Sequence, residues 1–315
     1  MIQQPTLPAW ERKSTARLAG LCQAIGAIEL ARAQRTQELI RRLAAHPIGQ
    51  QRPREIERIA LGINSIAQSG PGARTSAVVY SPLDEASPVF RFDFQNAALF
   101  TESGGTLTSM TNEVSSVVLN TGTLPAYSAT AFNGLPGLDF NGTTHHIMTT
   151  SDAPVLAAFA TQTCTFYYAG NFDVADAFNT MFSVADSAQA INGSKRFGIF
   201  TTGAGRWNIA ASSNAGVGVA LDSAGGNTTA AHIGCWFQAA TVASFQINNG
   251  SADPSGGAFN HGTITPTRWG FGGRVSSTVT AFFNGKWGEV LGFGATHDAT
   301  ARTNVHDYLA LKWSI

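Results

Sequence analysis

His297, Asp298, His306 and Asp307 place two imidazoles and two carboxylates in one short stretch near the C-terminus, residue types that hold zinc or move protons. A metal would need three or four such groups converging. These histidines stand nine residues apart, and no third ligand falls at a site-like spacing. Thr296 or Asp298 sits where a helix would be capped, and His306 falls beside the apolar stripe of that helix. A solvated flank is therefore expected for His306, and its replacement by alanine is expected to change stability by less than about 1 kcal/mol. His145 and His146 are neighbours on an expected strand, so they point to opposite faces and are poorly placed to share an ion. No metal or cofactor is assigned to either pair.

Cleavage of a glycosidic bond needs two carboxylates flanking it. Glu289 is alone on its expected strand, and Asp93 and Asp139 are each isolated between aromatic residues. No catalytic residue is assigned and an enzyme is not expected, although a hydrolytic site assembled across distant loops stays open. Trp207, Trp236, Trp269, Trp287, Tyr167 and Tyr168 offer flat faces on which a sugar could stack. Strands send every second residue inward, so most of these six are expected in a core. The loop "FDVADAFN", Phe172 to Asn179, has the acids and amides that calcium sites use, and no site is assigned to it. Sequons at Asn141, Asn192, Asn227 and Asn249 mean little without a secretion signal.

Which elements must position these groups follows from composition and periodicity. Only 13% of the 315 residues are charged, against a usual quarter, and 33 are glycine, so the surface is polar but weakly charged. Of the 20 charges of each sign, residues 1–74 hold 11 Lys+Arg and 5 Asp+Glu, net +6, and the remaining residues hold 9 and 15, net −6. A basic head thus precedes an acidic body. Its arginines are spread among aliphatic residues, which argues for an acidic protein partner over nucleic acid. Cys22, Cys164 and Cys235 are too far apart for a disulfide framework or a C-x-x-C metal site. Met1 to Trp10 lacks a signal-peptide pattern and no uninterrupted apolar run approaches 18 residues, so cytoplasmic synthesis without membrane insertion is expected.

Leu18, Leu21, Ile25 and Ile28 recur at steps of three and four, and Leu39 and Leu43 resume the face after Arg32 and Arg35, predicting one long amphipathic helix. "HPIGQQRP" breaks it. Ile56, Ile59, Ile63 and Ile66 then predict a second helix. The pair is either a hairpin folded on the body or an arm that docks on a partner or on copies of itself, a trimer being the self-association expected. "QSGPGARTS" closes the arm, so the expected division is 1–68 arm, 69–76 hinge and 77–315 body.

Beyond the hinge the period becomes two. "VFRFDF", "TCTFYYAGNF", "NTMFSVAD", "RFGIFTT", "RWNIAAS", "WFQAATVASFQIN", "RWGFGG" and "TAFFNGKWGEVLGF" read as short strands, which predicts a β-sandwich or barrel. Trp287, Glu289, Leu291 and Phe293 fall on one expected strand face. Val305, Leu309 and Trp313, four apart, predict a terminal helix that turns back and seals the sandwich.

"AYSATAFNGLPGLDFNGTTHHI" resembles the segment of concanavalin A-like, laminin-G-like jelly-roll domains in which an aromatic-Asn-Gly turn leads into a strand. "RWGFGGR", "FNGKWGEVLGF" and "VHDYLALKW" resemble the closing strands and final helix of the same modules. The resemblance implies an all-β antiparallel sandwich of jelly-roll type with a helical N-terminal arm and a short C-terminal helix. The hydrolases of that family carry an E-x-D-x-x-E pattern, which this sequence lacks. It further implies a bacteriophage virion structural protein, a decoration, head-fibre or tail-fibre module whose arm docks on other virion proteins. The alternative is an adhesin for host-surface glycans and, behind it, a glycoside hydrolase.

Overall fold

The computed structural model describes residues 80–315 except 162, 175–178, 189–195, 203–205, 216–217, 227–228, 254–256, 261 and 276. The expected arm and hinge, with Leu18, Leu21, Ile25, Ile28, Leu39, Leu43, Ile56, Ile59, Ile63 and Ile66, lie outside the described residues. The unit Tyr80–Ile315 is an antiparallel β-sandwich, as expected from the alternation.

In chain order the strands are β1 (Pro88–Asp93), β2 (Phe100–Ser103), β3 (Thr106–Thr111), β4 (Val118–Leu119), β5 (Ala126–Phe132), β6 (Leu135–Asn141) and β7 (Ile147–Thr149). Helix α1 (Ala153–Ala160) leads into β8 (Thr163–Phe172), β9 (Thr180–Ala185), β10 (Arg196–Thr201), β11 (Arg206–Ser212) and β12 (Gly218–Gly226). The chain continues through β13 (His232–Ala239), β14 (Val242–Ile247), β15 (Gly257–Ala258), β16 (Arg268–Phe271), β17 (Arg274–Val275) and β18 (Val279–Thr280). It ends with β19 (Asn284–Phe293) and α2 (Ala299–Trp313).

The larger sheet runs β15-β14-β13-β8-β19-β6-β5-β3-β2, with β1 on β19 and β4 on β3; the smaller runs β12-β11-β10-β9-β16-β7. Strand β8 is nearly all buried because both its faces are covered. Phe166, Tyr168 and Phe172 enter the core between the sheets, whereas Tyr167 and Ala169 face the other way, into a second cluster with Val305, Leu309 and Trp313 of α2. The hairpin β5–β6 turns on Asn133 (φ 50) and Gly134 (φ 74), flanked by the pair Phe132–Leu135. Two consecutive left-handed residues match the twist of the strands, which explains the Asn-Gly.

Helix α1 was not legible in the sequence. Its Val155 and Phe159 are buried, with the Phe159 ring tilted against that of Phe182 at 4.5 Å between centroids, so it plugs the core between the sheets.

Strand β19 departs from the expected single face. Its register against β8 shifts between Trp287 and Glu289, a β-bulge at Gly288 that reverses the alternation. Trp287 therefore enters the sandwich core beside Phe140 (4.8 Å) and Phe283 (5.0 Å), while Glu289, Leu291 and Phe293 face α2. The bulge falls where β19 changes neighbour, from β6 over Asn284–Trp287 to β1 over Glu289–Phe293. Glycine is required at 288 because a Cβ there would stand 2.5 Å from the Trp313 ring.

Helix α2 starts where the sequence predicts, with Asp298 accepting from the Ala301 amide at 2.8 Å. Val305, Leu309 and Trp313 are fully buried. His306, expected on a solvated flank, is only 1% exposed, and His297 is 2% exposed. A helix lying on a broad sheet buries a wider arc than the three-residue stripe. His306 meets Tyr167 edge-on at 6.0 Å, and His297 Nδ1 is 2.9 Å from the Tyr167 hydroxyl. Among the described residues neither ring nitrogen of His306 has a hydrogen-bond partner, and burial, followed by the charge of Arg302, pushes its pKa down to about 4.

The expected small effect of His306 is thereby overturned. An imidazole that protonates near 6.5 when unfolded but near 4 when folded binds more protons in the unfolded chain across that window. Its stability contribution is full above about pH 6.5, falls as pH drops, and is lost at the folded value, a change of about 3 kcal/mol. His232, fully buried and also lowered to about 4 by burial, adds a loss of the same sign. Denaturant titrations at pH 7.5 and 4.5 should show marked acid destabilisation that His306→Leu reduces; equal slopes for the two proteins would refute this.

Candidate functional site

The sandwich has two outer faces. That of the larger sheet lies partly beneath α2, where Ile233, Cys235, Leu291 and Phe293 are buried. On the smaller sheet, alternation puts Phe182, Val184, Phe197, Ile199, Trp207, Ile209, Trp269 and Phe271 into the core. Their neighbours face outward. Ser183, Gly198, Ala210 and Ala220 lie in register across β9, β10, β11 and β12, a row of small side chains.

Long cationic side chains flank this row. Arg196 and Arg268 are both in register with Ala185, from β10 and β16 on its two sides, so their backbones lie roughly 10 Å apart on the same face. The hairpin β17–β18 crosses the face and is pinned there by Ser183, whose Oγ donates to the Gly273 carbonyl (3.0 Å) and accepts from the Val275 amide (3.0 Å). This brings Arg274 over Phe200, with Cζ 5.3 Å from the ring centroid. Arg196, Arg268 and Arg274 are each partly exposed. Burial lowers the pKa of Arg274 to about 10, with the charge of Arg196 as a further cause.

Two acids of this face have partners close in sequence or across a strand pair. Asp222 Oδ1 accepts from Asn208 Nδ2, and Asp186 Oδ1 accepts from the Ala188 amide at 3.0 Å. Such a face can form hydrogen bonds with a polar ligand and can neutralise an anion through the fork geometry of guanidinium.

The residues nominated from sequence are placed elsewhere. Trp207, Trp236, Trp269, Trp287, Tyr167 and Tyr168 are all between 0% and 3% exposed, so none presents a stacking face. His145 and His146 precede β7 in a loop rather than lying on a strand, and their Nδ1 atoms approach the carbonyls of Asp139 (3.2 Å) and Thr144 (2.9 Å). Asp93 is not isolated: its Oδ2 pairs with Lys312 Nζ at 2.6 Å. Asp173 in the "FDVADAFN" loop pairs with Lys286 at 3.1 Å. Among the described residues no group of three or more His, Cys, Asp or Glu could hold a metal ion. No described helix is long and apolar enough to cross a membrane.

The arginine face was missed although the sequence carries a trace of it. Three strands open on arginine followed by an aromatic: Arg196-Phe197, Arg206-Trp207 and Arg268-Trp269. A core aromatic on a strand sends the preceding residue to the opposite face.

The fold places the chain among two-sheet antiparallel sandwiches. No family model and no curated protein matches it. Solved structures similar to it include the Ruminococcus gnavus IT-sialidase CBM40 bound to alpha2,3 sialyllactose, with 14% identity over 57% of this chain and 96% of that one, at a TM-score of 0.44. Another is the Trypanosoma rangeli sialidase, with 12% identity over 72% of this chain and 33% of that one, at 0.47. A third is the K499G mutant of NanB sialidase from Streptococcus pneumoniae, with 11% identity over 53% and 27%, at 0.44. All three TM-scores fall below 0.5, and no ligand or activity is carried over from them.

Proposed function

We propose that Tyr80–Ile315 is a non-catalytic carbohydrate-binding head that presents the outer face of its smaller sheet to a glycan. The observation that carries this reading is the grouping of Arg196, Arg268 and Arg274 with the Asn208–Asp222 pair on one sheet face, around a row of small residues. Planar polar groups of this kind exchange hydrogen bonds with sugar hydroxyls. A stable protein interface would ask for an apolar centre. The exposed large apolar residues Val114, Val118, Val242 and Leu311 lie off this face. Glu289, considered above for hydrolysis, is fully buried and held by Arg91 Nε and Lys312 Nζ, each at 2.7 Å, which suits a structural role.

In this reading residues 1–68 tie the head to a larger assembly. A phage virion rests on the sequence resemblance alone, so glycan binding takes precedence. The full chain applied to a printed array of neutral and acidic oligosaccharides is expected to retain a small, chemically related set at micromolar protein. A blank array with folded protein would overturn the proposal.

A further inference from the structure

We propose that acid releases α2 from the larger sheet as a unit, turning about residues 295–297, while the core between the two sheets stays closed. This device is independent of the glycan reading.

The first support is what lies beneath the helix. His297 at its entry and His306 in its middle are both buried against the sheet. His306 meets the Tyr167 ring edge-on, and a proton added to its partnerless ring creates a cation in an apolar interface. The surrounding groups supply little to neutralise it. Strand β8 presents Tyr167, β13 presents Cys235 and Phe237, β14 presents Gln246, and β19 presents Phe293. The turn Pro82–Asp84 adds Glu85 and Tyr80 at its ends, and α2 contributes Asp298, Arg302 and the exposed Asp307. Burial lowers the pKa of both histidines. At His306 the charge of Arg302 adds to it, whereas at His297 the Glu85 and Asp298 carboxylates and the Ala86 carbonyl offset part of it. Glu289 is committed to Arg91, Lys312 and Trp313 at the far end of the helix.

Architecture is the second support. Val305, Leu309 and Trp313 rest in an apolar cluster of their own, with Tyr167, Ile233 and Leu291, separate from the core between the sheets. Lifting α2 therefore uncovers that cluster and breaks no strand pairing. The segment before the helix is pinned: Thr165 Oγ1 donates to the Ala295 carbonyl at 2.9 Å and accepts from the His297 amide at 3.0 Å, which makes a fixed pivot. At neutral pH the far end is held by Glu289 and by Asn133, which donates to the Trp313 carbonyl.

The sign follows from linkage. A released imidazole protonates near 6.5 and the docked His306 near 4, so docking is full above about pH 6.5 and weakens as pH falls toward 4. His306 alone favours release about twentyfold more at pH 5 than at pH 7. His232, also buried, meets the Tyr168 hydroxyl in the interior between the sheets, so its protonation loosens the sandwich itself.

Two buried thiols separate these events, because Cys235 lies in the cluster under α2 and Cys164 in the core between the sheets. The full chain carrying Cys22→Ser is treated with a pyridyl disulfide at pH 7 and pH 5. Labelling of each cysteine is followed by peptide mass, relative to the same chain in denaturant at the same pH, which cancels the titration of the thiol itself. Relative labelling of Cys235 should rise at least about tenfold, while that of Cys164 changes less than about twofold. His306→Leu should remove most of the rise; if that variant does not fold, as judged by thermal melts, the two thiols of the parent chain decide the matter. Equal rises at both cysteines would overturn the proposal in favour of loosening of the whole sandwich. No rise at either would show that α2 stays docked, and a rise that a folded His306→Leu leaves intact would remove His306 as its cause.

Discussion

Replacing Trp313 by alanine is expected to destabilise the β unit by about 3 to 5 kcal/mol, the range for deleting a large aromatic from a packed core. The side chain is fully buried at the last turn of α2. It rests on Gly288, lies 5.7 Å from the ring of Phe132, and donates its Nε1–H to Glu289 Oε2 at 3.1 Å. Its carbonyl also accepts from Asn133 in the β5–β6 turn at 2.8 Å, which anchors the C-terminus. Truncation therefore opens a cavity against a bulge that exists to admit this ring, and takes one donor from a buried carboxylate. The rigid sheet beneath has little means of collapsing into the space. For a unit of this size the melting temperature should fall by roughly 10 °C. Leu311→Ala, on the same helix but 63% exposed, should stay within about 0.5 kcal/mol. Equal melting temperatures for the two variants would show that α2 does not seal the sheet.

Where sequence reasoning succeeded, the signal was local. Strand β8 spans the run "TCTFYYAGNF", and α2 buries Val305, Leu309 and Trp313 at their spacing of four. Failure came where a long-range partner decides the outcome. His306 looked peripheral because the width of the surface beneath a helix is not encoded in the helix. The reversal at Gly288 depends on β19 exchanging β6 for β1, which no alternation within "GKWGEVLGF" reveals. Arg196 and Arg268 become neighbours across Ala185 only because β9 lies between β10 and β16, strands far apart in the chain. The aromatic platform failed for the opposite reason: the sandwich interior took five of those rings, and the cluster beneath α2 took Tyr167.

Glu289→Gln is expected to cost about 3 kcal/mol or more, although it changes neither size nor shape. The carboxylate is fully buried on β19 under α2. Oε1 accepts from Arg91 Nε at 2.7 Å, and Oε2 accepts from Lys312 Nζ at 2.7 Å and from Trp313 Nε1 at 3.1 Å. Every near group at both oxygens is thus a donor. An amide turned either way must aim its own NH2 at a donor, which loses a charge-assisted bond and sets two donors face to face. The cations keep other partners: Arg91 Nη1 lies 3.3 Å from Glu113 and Lys312 Nζ 2.6 Å from Asp93. Those bonds hold the loss below that of stranding two bare charges and place the expectation at the lower end of the range for a broken buried pair. A double-mutant cycle locates the effect. Glu289→Gln with Lys312→Met should show a coupling of about 1 kcal/mol or more, whereas Glu289→Gln with Leu311→Ala should be additive. If Glu289→Gln cost less than about 1 kcal/mol in denaturant titrations, the carboxylate would not be fastening α2 to the sheet, and its burial would need another explanation.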